Sequence, residues 1–208
     1  MLKLFVQYLI FPGFLFSACV GLIASWIDRK VTARIQWRVG PPWYQNFSDI
    51  IKLLGKETIV PQGSKLTFLL SPCLGFLSAI LVATTLGRSV IYPQESLIGD
   101  LVVVLYLLII PAITIIVGAS SSGNPLASLG ASREMKLVLG YELPFILSVV
   151  VIIIKSQGAI QIGQILNHQL NFGSNVASWS GALAFIAAIF CMQAKLGFVP
   201  FDMSEAEK

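Results

Sequence analysis

Apolar residues lie along this chain in five long runs that are separated by shorter polar stretches. The runs fall near residues 4–27, 66–86, 97–118, 135–154 and 176–194. A helix needs about 20 residues to cross a hydrocarbon core of roughly 30 Å, and open sheet edges cannot satisfy their backbone groups in lipid. The pattern therefore predicts an all-α fold, a polytopic transmembrane helix bundle of about five spans, forming a single membrane domain over residues 1–208.

A shorter amphipathic pattern lies between the first two runs. Its apolar positions recur at helical spacing and are Trp43, Tyr44, Phe47, Ile50, Ile51 and Leu54. Pro41 and Pro42 suit the first turn of such a helix. We predict an interfacial helix over 43–54 that lies flat, with aromatic residues at headgroup level. It serves either as a lipid anchor or as a protein-docking platform, and the rigid Gly40-Pro41-Pro42 bend after Arg34 and Arg38 favours docking.

Composition and charge indicate the class of protein and its orientation in the membrane. Apolar residues make up 56% of the chain and charged residues 12%, about half the usual share in soluble proteins. With five spans, eleven of the fourteen basic residues fall on one side, in the loops 28–65 and 119–136 and the tail 195–208. The positive-inside rule places that side in the cytoplasm and the N-terminus outside. The net charge of +4 follows from this topology, so no nucleic-acid partner is predicted.

Glu142 is an ionisable residue inside the fourth run, and an intramembrane carboxylate suggests a functional site. Tyr141 precedes it, and Pro144 follows and cannot donate a hydrogen bond to the carbonyl of Gly140. We therefore expect a polar notch beside the carboxylate. Desolvation disfavours the charged form, which suits a group that takes up and releases protons. The alternative is a static pair with a basic residue on a neighbouring helix.

Further acidic residues cluster on the cytoplasmic side. The tail holds Asp202, Glu205 and Glu207 within six residues, and mutual repulsion shifts the titration of such groups if they are partly buried. A solvated acidic loop is the alternative. Glu134 lies on the same side before the fourth span, next to Arg133. Together with Glu142, these acids would line a charged route from the cytoplasmic surface into the membrane.

Three other residue types receive structural interpretations. Cys19, Cys73 and Cys191 each fall in a predicted span and are expected to pack as small apolar residues. His168 lies in the predicted loop 155–175 and is expected to be solvated. Asp100 opens the third span, where we expect it to stabilise a helix N-terminus.

Three segments carry a resemblance to a known family. The run ARIQWRVGPPWYQNFSDIIKLLGKETIVP resembles the first cytoplasmic loop of the proton-channel-like membrane subunit of respiratory complex I and its hydrogenase relatives, the NADH dehydrogenase subunit 1 family. SREMKLVLGYELPFILS resembles the segment where a Tyr-Glu pair enters the membrane, and GFVPFDMSEAEK resembles the acidic motif of the following cytoplasmic loop. The three motifs occur in the family's order over nearly the whole chain.

The resemblance implies a non-catalytic subunit that anchors a soluble redox arm to a membrane arm. The implied partners are soluble hydrogenase-like large and small iron–sulfur subunits and antiporter-like membrane subunits. The nickel–iron site and iron–sulfur clusters would lie in those partners, and this chain would bind no metal. The implied docking residues are Arg34, Arg38, Gly40, Pro41, Gln45, Asp49, Lys52, Lys56 and Glu57. The implied proton pathway comprises Glu142, Tyr141, Glu134, Asp202, Glu205 and Glu207.

The loop at residues 40–45 also separates subfamilies. Quinone-reducing members resemble one another in a longer, glycine-containing stretch at this point, whereas Gly40 to Gln45 is compact here. The compact form resembles the energy-converting membrane-bound nickel–iron hydrogenases, with a ferredoxin-linked sulfur reductase as a near alternative. The residues also leave open a quinone-chamber subunit and a plain structural anchor. The family implies further helices after the acidic motif, so we expect this chain to lack the family's last helices.

Overall fold

The computed structural model describes residues 2–57, 59–61, 64–95, 99–198 and 201. Regular structure among them is helical, which confirms the predicted fold class. The helices are α1 (Leu2–Leu9), α2 (Phe14–Ile35), α3 (Gln45–Leu54), α4 (Lys65–Ile91), α5 (Asp100–Ser121), α6 (Pro125–Lys155), α7 (Ile162–Phe172) and α8 (Trp179–Lys195), with short 3₁₀ turns at Pro93–Glu95 and Asn175–Ala177.

Four helical stretches among the described residues have the length and apolar composition to cross a membrane. They are Val6–Ile35, Lys65–Ile91, Asp100–Ser121 and Pro125–Lys155. The fifth predicted span corresponds to α8, a shorter apolar helix of 17 residues, about 26 Å long at 1.5 Å per residue. The chain divides into two compact units, residues 1–59 and 60–208.

In the first unit, the first predicted span is both interrupted and extended. The helix breaks between Leu9 and Phe14, where Pro12 lacks the N–H that an uninterrupted helix would need. It then continues to Ile35, past the predicted end at Ile27. The charged stretch from Asp28 to Arg34 is therefore helical, and the prediction that a loop begins at residue 28 is wrong.

A tight turn joins α2 to α3 within this unit. Gly40 has φ +73°, and a Cβ added there would lie 3.1 Å from the Ala33 Cβ and the Lys30 Cδ, so both its conformation and its surroundings favour glycine. The Trp26 indole N–H donates to the Pro41 carbonyl at 3.2 Å. The predicted amphipathic helix is present, but it begins at Gln45. Pro41 therefore precedes its first turn rather than occupying it.

In the second unit, α4 and α5 pack closely along small and hydroxyl side chains. A Cβ added to Gly75 would lie 2.5 Å from the Thr114 Oγ1, and one added to Gly118 would lie 2.6 Å from the Ser71 Oγ. Small residues of this kind allow helices in a membrane to approach closely. The hydroxyl groups donate to carbonyls of their own helices, as Ser78 does to Gly75 at 2.8 Å.

Helix α6 starts earlier than the sequence pattern indicates. The Asn124 side chain accepts a hydrogen bond from the Leu126 N–H at 3.0 Å, and Pro125 occupies the first helical position, where a missing N–H costs little. Only a short turn separates α5 from α6. Arg133, Glu134 and Lys136 therefore lie on a helix, and the predicted loop 119–136 is wrong.

Helix α7 occupies a segment that was predicted to be a loop. It runs from Ile162 to Phe172, and Gly173 follows with φ +92°. His168 lies on this helix with its ring stacked on Phe172, at 4.7 Å between centroids. Its Nδ1 atom is buried, so the expectation of a solvated loop histidine is wrong.

Candidate intramembrane charge site and docking surface

Glu142 forms an ion pair with Lys195. The Lys195 Nζ lies 2.9 Å from the Glu142 Oε2, and the two side chains are 13% and 14% exposed, respectively. Glu142 belongs to the middle of α6, whereas Lys195 is the last residue of α8. Lys195 is thus the basic partner on a neighbouring helix that the sequence allows as one of two alternatives for Glu142. Lys195 itself was missed, because the two residues are far apart along the chain.

The ion pair lies among aromatic rings, and its charged atoms lack further hydrogen bonds within the described residues. The Lys195 Nζ is 4.5 Å from the centroid of the Phe145 ring and 5.7 Å from that of Tyr141. Both Glu142 carboxylate oxygens and the Lys195 Nζ are buried without a hydrogen bond of acceptable geometry in the described structure. The contact is therefore an ion pair by distance but not a well-directed hydrogen bond.

The predicted notch beside Pro144 is present, but it is apolar. Gly140 and Pro144 line a groove of about 440 Å³ between α6 and α8, together with Tyr141, Phe190 and other apolar residues. Among the described residues, Lys136 is its charged lining residue, and Glu142 does not line it. The expectation that Pro144 creates a polar notch for the carboxylate is therefore wrong.

A second cavity of about 440 Å³ is lined in part by Lys195. Its walls come from α5, α6 and the end of α8, and the charged residues that line it in the described part of the chain are Glu134 and Lys195. Small residues of α6 leave the space open: Ala127, Gly130 and Ala131. Glu134, half-buried, thus shares a cavity with the lysine that pairs with Glu142.

Tyr141 packs where the acidic motif begins. It is 7% exposed and forms a small core with Cys191 and Ala194, and Phe201 packs against this core. Cys191 therefore behaves as the expected packing residue, whereas Cys19 and Cys73 are exposed. Asp202, Glu205 and Glu207, which were predicted as part of the proton pathway, lie outside the described residues.

Asp100 is a second buried carboxylate in this unit, with well-directed hydrogen bonds. It is 4% exposed and accepts hydrogen bonds from the Ser89 hydroxyl at 3.0 Å and the Ile162 N–H at 2.8 Å. These bonds tie the start of α5 to the end of α4 and the first residue of α7. The predicted role at a helix N-terminus is too narrow, because Asp100 holds three helices together.

In the first unit, polar contacts hold α3 against α2. Asn46 is 6% exposed; its amide donates to the Leu22 carbonyl at 2.9 Å and accepts from Arg29 at 3.1 Å. Arg29 also lies 4.0 Å from Asp49, and Asp49 accepts a hydrogen bond from Gln45 at 3.0 Å. Asn46 was missed as a contact residue, because a polar residue in an amphipathic pattern is usually assigned to the solvent face.

The opposite side of α3 is apolar and exposed. Ile51 is 71% exposed and Leu54 is 82% exposed. The predicted docking residues Arg34, Arg38, Lys52, Lys56 and Glu57 are also exposed. Of the remaining predicted docking residues, Gly40 and Pro41 form the turn, while Gln45 and Asp49 are engaged within the chain. We call the exposed residues of α3 and of its flanking turns the α3 surface.

These features define a helical membrane protein with an ion pair inside the bundle and an amphipathic surface helix in its first unit. The family model described as NADH dehydrogenase matches residues 7–208. The chain belongs to this family.

Comparison with individual proteins gives relatives from several kinds of complex. The chain is 38% identical over 236 residues to a subunit of the NADH-quinone oxidoreductase of Thermomicrobium roseum, covering 99% of this chain and 67% of that protein. It is 31% identical to hydrogenase-4 component C of Escherichia coli, covering 88% and 57%, and 31% identical to formate hydrogenlyase subunit 4 of the same organism, covering 91% and 61%. The chain thus spans about three fifths to two thirds of the length of these relatives.

A solved structure shows the same fold. A chain in the structure of the membrane-bound sulfane sulfur reductase, an archaeal respiratory membrane complex, superimposes with a TM-score of 0.87 at 30% identity. The match covers 99% of this chain and 66% of that one.

Proposed function

We propose that this chain is the membrane anchor and coupling subunit of an ion-translocating, membrane-bound redox complex. In this function, it docks a soluble hydrogenase-like arm and passes redox energy to proton or sodium translocation. The relatives are subunits of NADH-quinone, hydrogenase and sulfur-reductase systems, which share redox chemistry at a membrane.

The Glu142–Lys195 pair is the observation that carries the coupling function. A plain anchor does not require a carboxylate in the middle of an apolar helix, and burying two charges costs several kcal/mol per ion before their attraction is counted. A pair at 2.9 Å beside a cavity that contains another carboxylate is instead suited to charge movement. We assign Glu142, Tyr141 and Glu134 to a proton pathway that continues into the acidic motif at Asp202, Glu205 and Glu207.

The α3 surface is the proposed docking site for the soluble arm. Its exposed apolar residues, flanked by lysines and arginines, present both area and charge to a partner. The proposed partners are hydrogenase-like large and small subunits, which would hold the nickel–iron site and the iron–sulfur clusters, and antiporter-like membrane subunits. The proposed location is the cell membrane, with the N-terminus outside and the α3 surface in the cytoplasm.

Alignment lengths support a hydrogenase-type complex over a quinone reductase. The alignment with the quinone reductase subunit runs over 236 positions while covering 99% of 208 residues, so that relative carries insertions that this chain lacks. The alignments with the two Escherichia coli hydrogenase subunits run over 182 and 189 positions at 88% and 91% coverage, and so need almost no insertions. The compact Gly40–Gln45 turn agrees with this difference.

The substitution Glu142→Gln in the assembled complex tests the coupling function. Hydrogen evolution and ion translocation would be measured together in sealed membrane vesicles. We expect hydrogen evolution to continue and translocation to be lost, because the amide cannot carry a proton. Asp28→Asn, at an exposed carboxylate of α2, is the matched control and should retain both. Unchanged translocation in Glu142→Gln would contradict the proposal.

The second candidate function is a quinone-chamber subunit, and the 38% identity to a quinone reductase subunit favours it. Extraction of the purified complex separates the two candidates. A stoichiometric quinone would support the second candidate, whereas a co-purifying nickel-binding large subunit without quinone would support the first.

A further inference from the structure

Lys195 contacts one carboxylate of α6 and shares a cavity with another. It pairs with Glu142 and also lines the cavity to which Glu134 contributes. Glu134 and Glu142 are two helical turns apart on one helix, which corresponds to about 12 Å along its axis. A lysine side chain reaches roughly 6 Å from its Cα and turns on a flexible four-carbon stem. Its ammonium group can therefore approach either carboxylate from one backbone position.

The pair with Glu142 is not locked in place. Buried ion pairs are stable when additional hydrogen bonds satisfy the remaining donors and acceptors. Here the Lys195 Nζ and both Glu142 oxygens lack such bonds within the described residues. The Lys195 ammonium is held instead by its ionic contact with Glu142 and by the faces of Phe145 and Tyr141.

The cavity lined by Glu134 offers a second position for the Lys195 ammonium group. Its small-residue walls at Ala127, Gly130 and Ala131 leave about 440 Å³, enough for a lysine head and several waters. Glu134 supplies a carboxylate in that cavity. Among the described residues, Tyr141 and Cys191 are further titratable groups close to the pair.

We propose that Lys195 is a mobile counter-ion that exchanges between Glu142 and Glu134, and that this exchange sets the protonation of Glu142. When Lys195 moves to Glu134, Glu142 loses its ionic partner and takes a proton from a hydronium ion that water in the cavity conducts from bulk solvent. One O–H bond of the hydronium breaks as the carboxyl O–H bond forms, and a neutral water molecule remains. When Lys195 returns, the carboxyl O–H bond breaks and the proton leaves through the adjoining acidic groups. The exchange rests on the proposed coupling function, because reduction of the soluble arm would be the event that moves Lys195.

Infrared difference spectroscopy on the purified intact complex tests this exchange. Reduction of the wild-type complex should produce a carboxylic-acid C=O band that is absent in Glu142→Gln. Glu134→Gln should lose the same band, because Lys195 then has no second carboxylate. Lys195→Met should show the band before reduction, because Glu142 is then unpaired. Lys136→Met, a lysine of α6 that lines the apolar groove, is the control and should match wild type.

The outcomes separate this proposal from the coupling function. Persistence of the reduction-linked band in Glu134→Gln would overturn the exchange, as would its absence from a wild-type complex that translocates ions. The coupling function would still stand in either case if Glu142→Gln abolished translocation. If Lys195→Met fails to assemble, Lys195→Arg replaces it. Arginine binds one carboxylate in a bidentate manner, so a reduction-linked band of wild-type size in Lys195→Arg would also count against exchange.

Discussion

Two carboxylates of the 60–208 unit are removed from water, and they differ in how they are satisfied. Asp100 is 4% exposed and accepts two directed hydrogen bonds from donors on other helices. Glu142 has an exposed fraction of 14% and, among the described residues, an ion pair with Lys195 in place of directed hydrogen bonds. A fully hydrogen-bonded buried group stabilises one arrangement, whereas a partly satisfied group leaves several arrangements close in free energy. We infer that Asp100 stabilises the arrangement of the helices, whereas Glu142 takes part in charge movement.

The same contrast extends to the 1–59 unit. Asn46 is buried and makes two hydrogen bonds to α2, and Asp100 likewise makes two hydrogen bonds to other helices of its own unit. Lys52 and Lys56, on or directly after the same helix, are exposed. In both units, satisfied buried polar groups hold helices together, while the remaining charges are available for function.

Asp100→Ala should have the largest effect on stability. It leaves the buried Ser89 hydroxyl and the partly buried Ile162 N–H without an acceptor, at a cost of about 3 kcal/mol. Thermal unfolding of the purified protein in detergent would measure the loss. Asp100→Asn, which keeps an acceptor oxygen, should lose clearly less. Equal losses for the two variants would show that the two hydrogen bonds do not carry the role of Asp100.

Asn46→Ala should have an intermediate effect. It removes the bond to the Leu22 carbonyl and the acceptor for Arg29, so we expect a loss of about 1–3 kcal/mol and faster amide hydrogen exchange in α3. Gln45→Ala is the control, because its bond to Asp49 is local to α3. If Asn46→Ala changed hydrogen exchange in α3 no more than Gln45→Ala, α3 would not depend on Asn46 for its attachment to α2.

Lys52→Ala and Lys56→Ala should have the smallest effect on stability. Exposed substitutions usually change the free energy of unfolding by no more than about 0.5 kcal/mol. Under the docking proposal, the double variant should nevertheless retain less of the soluble arm when the complex is purified at moderate salt. Full retention of the soluble arm at every salt concentration would remove these lysines from the docking site.

The sequence predicts the helical membrane fold well, because a long apolar run in lipid must satisfy its backbone hydrogen bonds internally and a helix does so. It predicts helix ends less well. Asp28 to Arg34 appears loop-like by charge, yet arginine, lysine and alanine favour helices. Helix α7 was missed because Asn, Gln and His make up five of its 11 residues. The spacing of Ile162, Ile165 and Leu166 followed by Gly173 would have indicated it.

The candidate site, too, could be predicted from the sequence only in part. Glu142 stands out in the sequence because a carboxylate interrupts an apolar run. Its partner Lys195 does not, because a lysine at the end of a predicted span is ordinary and only the packing of α6 against α8 brings the two together. The apolar character of the Pro144 groove could not be predicted from the sequence either, because it depends on which residues of α8 line the groove.

The most direct test compares the two carboxylates in one measurement: the number of ions translocated per electron transferred in sealed vesicles containing the complete complex. Glu142→Gln should reduce this ratio to near zero while electron transfer continues. Asp100→Asn should keep the wild-type ratio, even if less complex assembles. A wild-type ratio in Glu142→Gln, or an equal fall in both variants, would contradict the assignment of Glu142 as the working carboxylate.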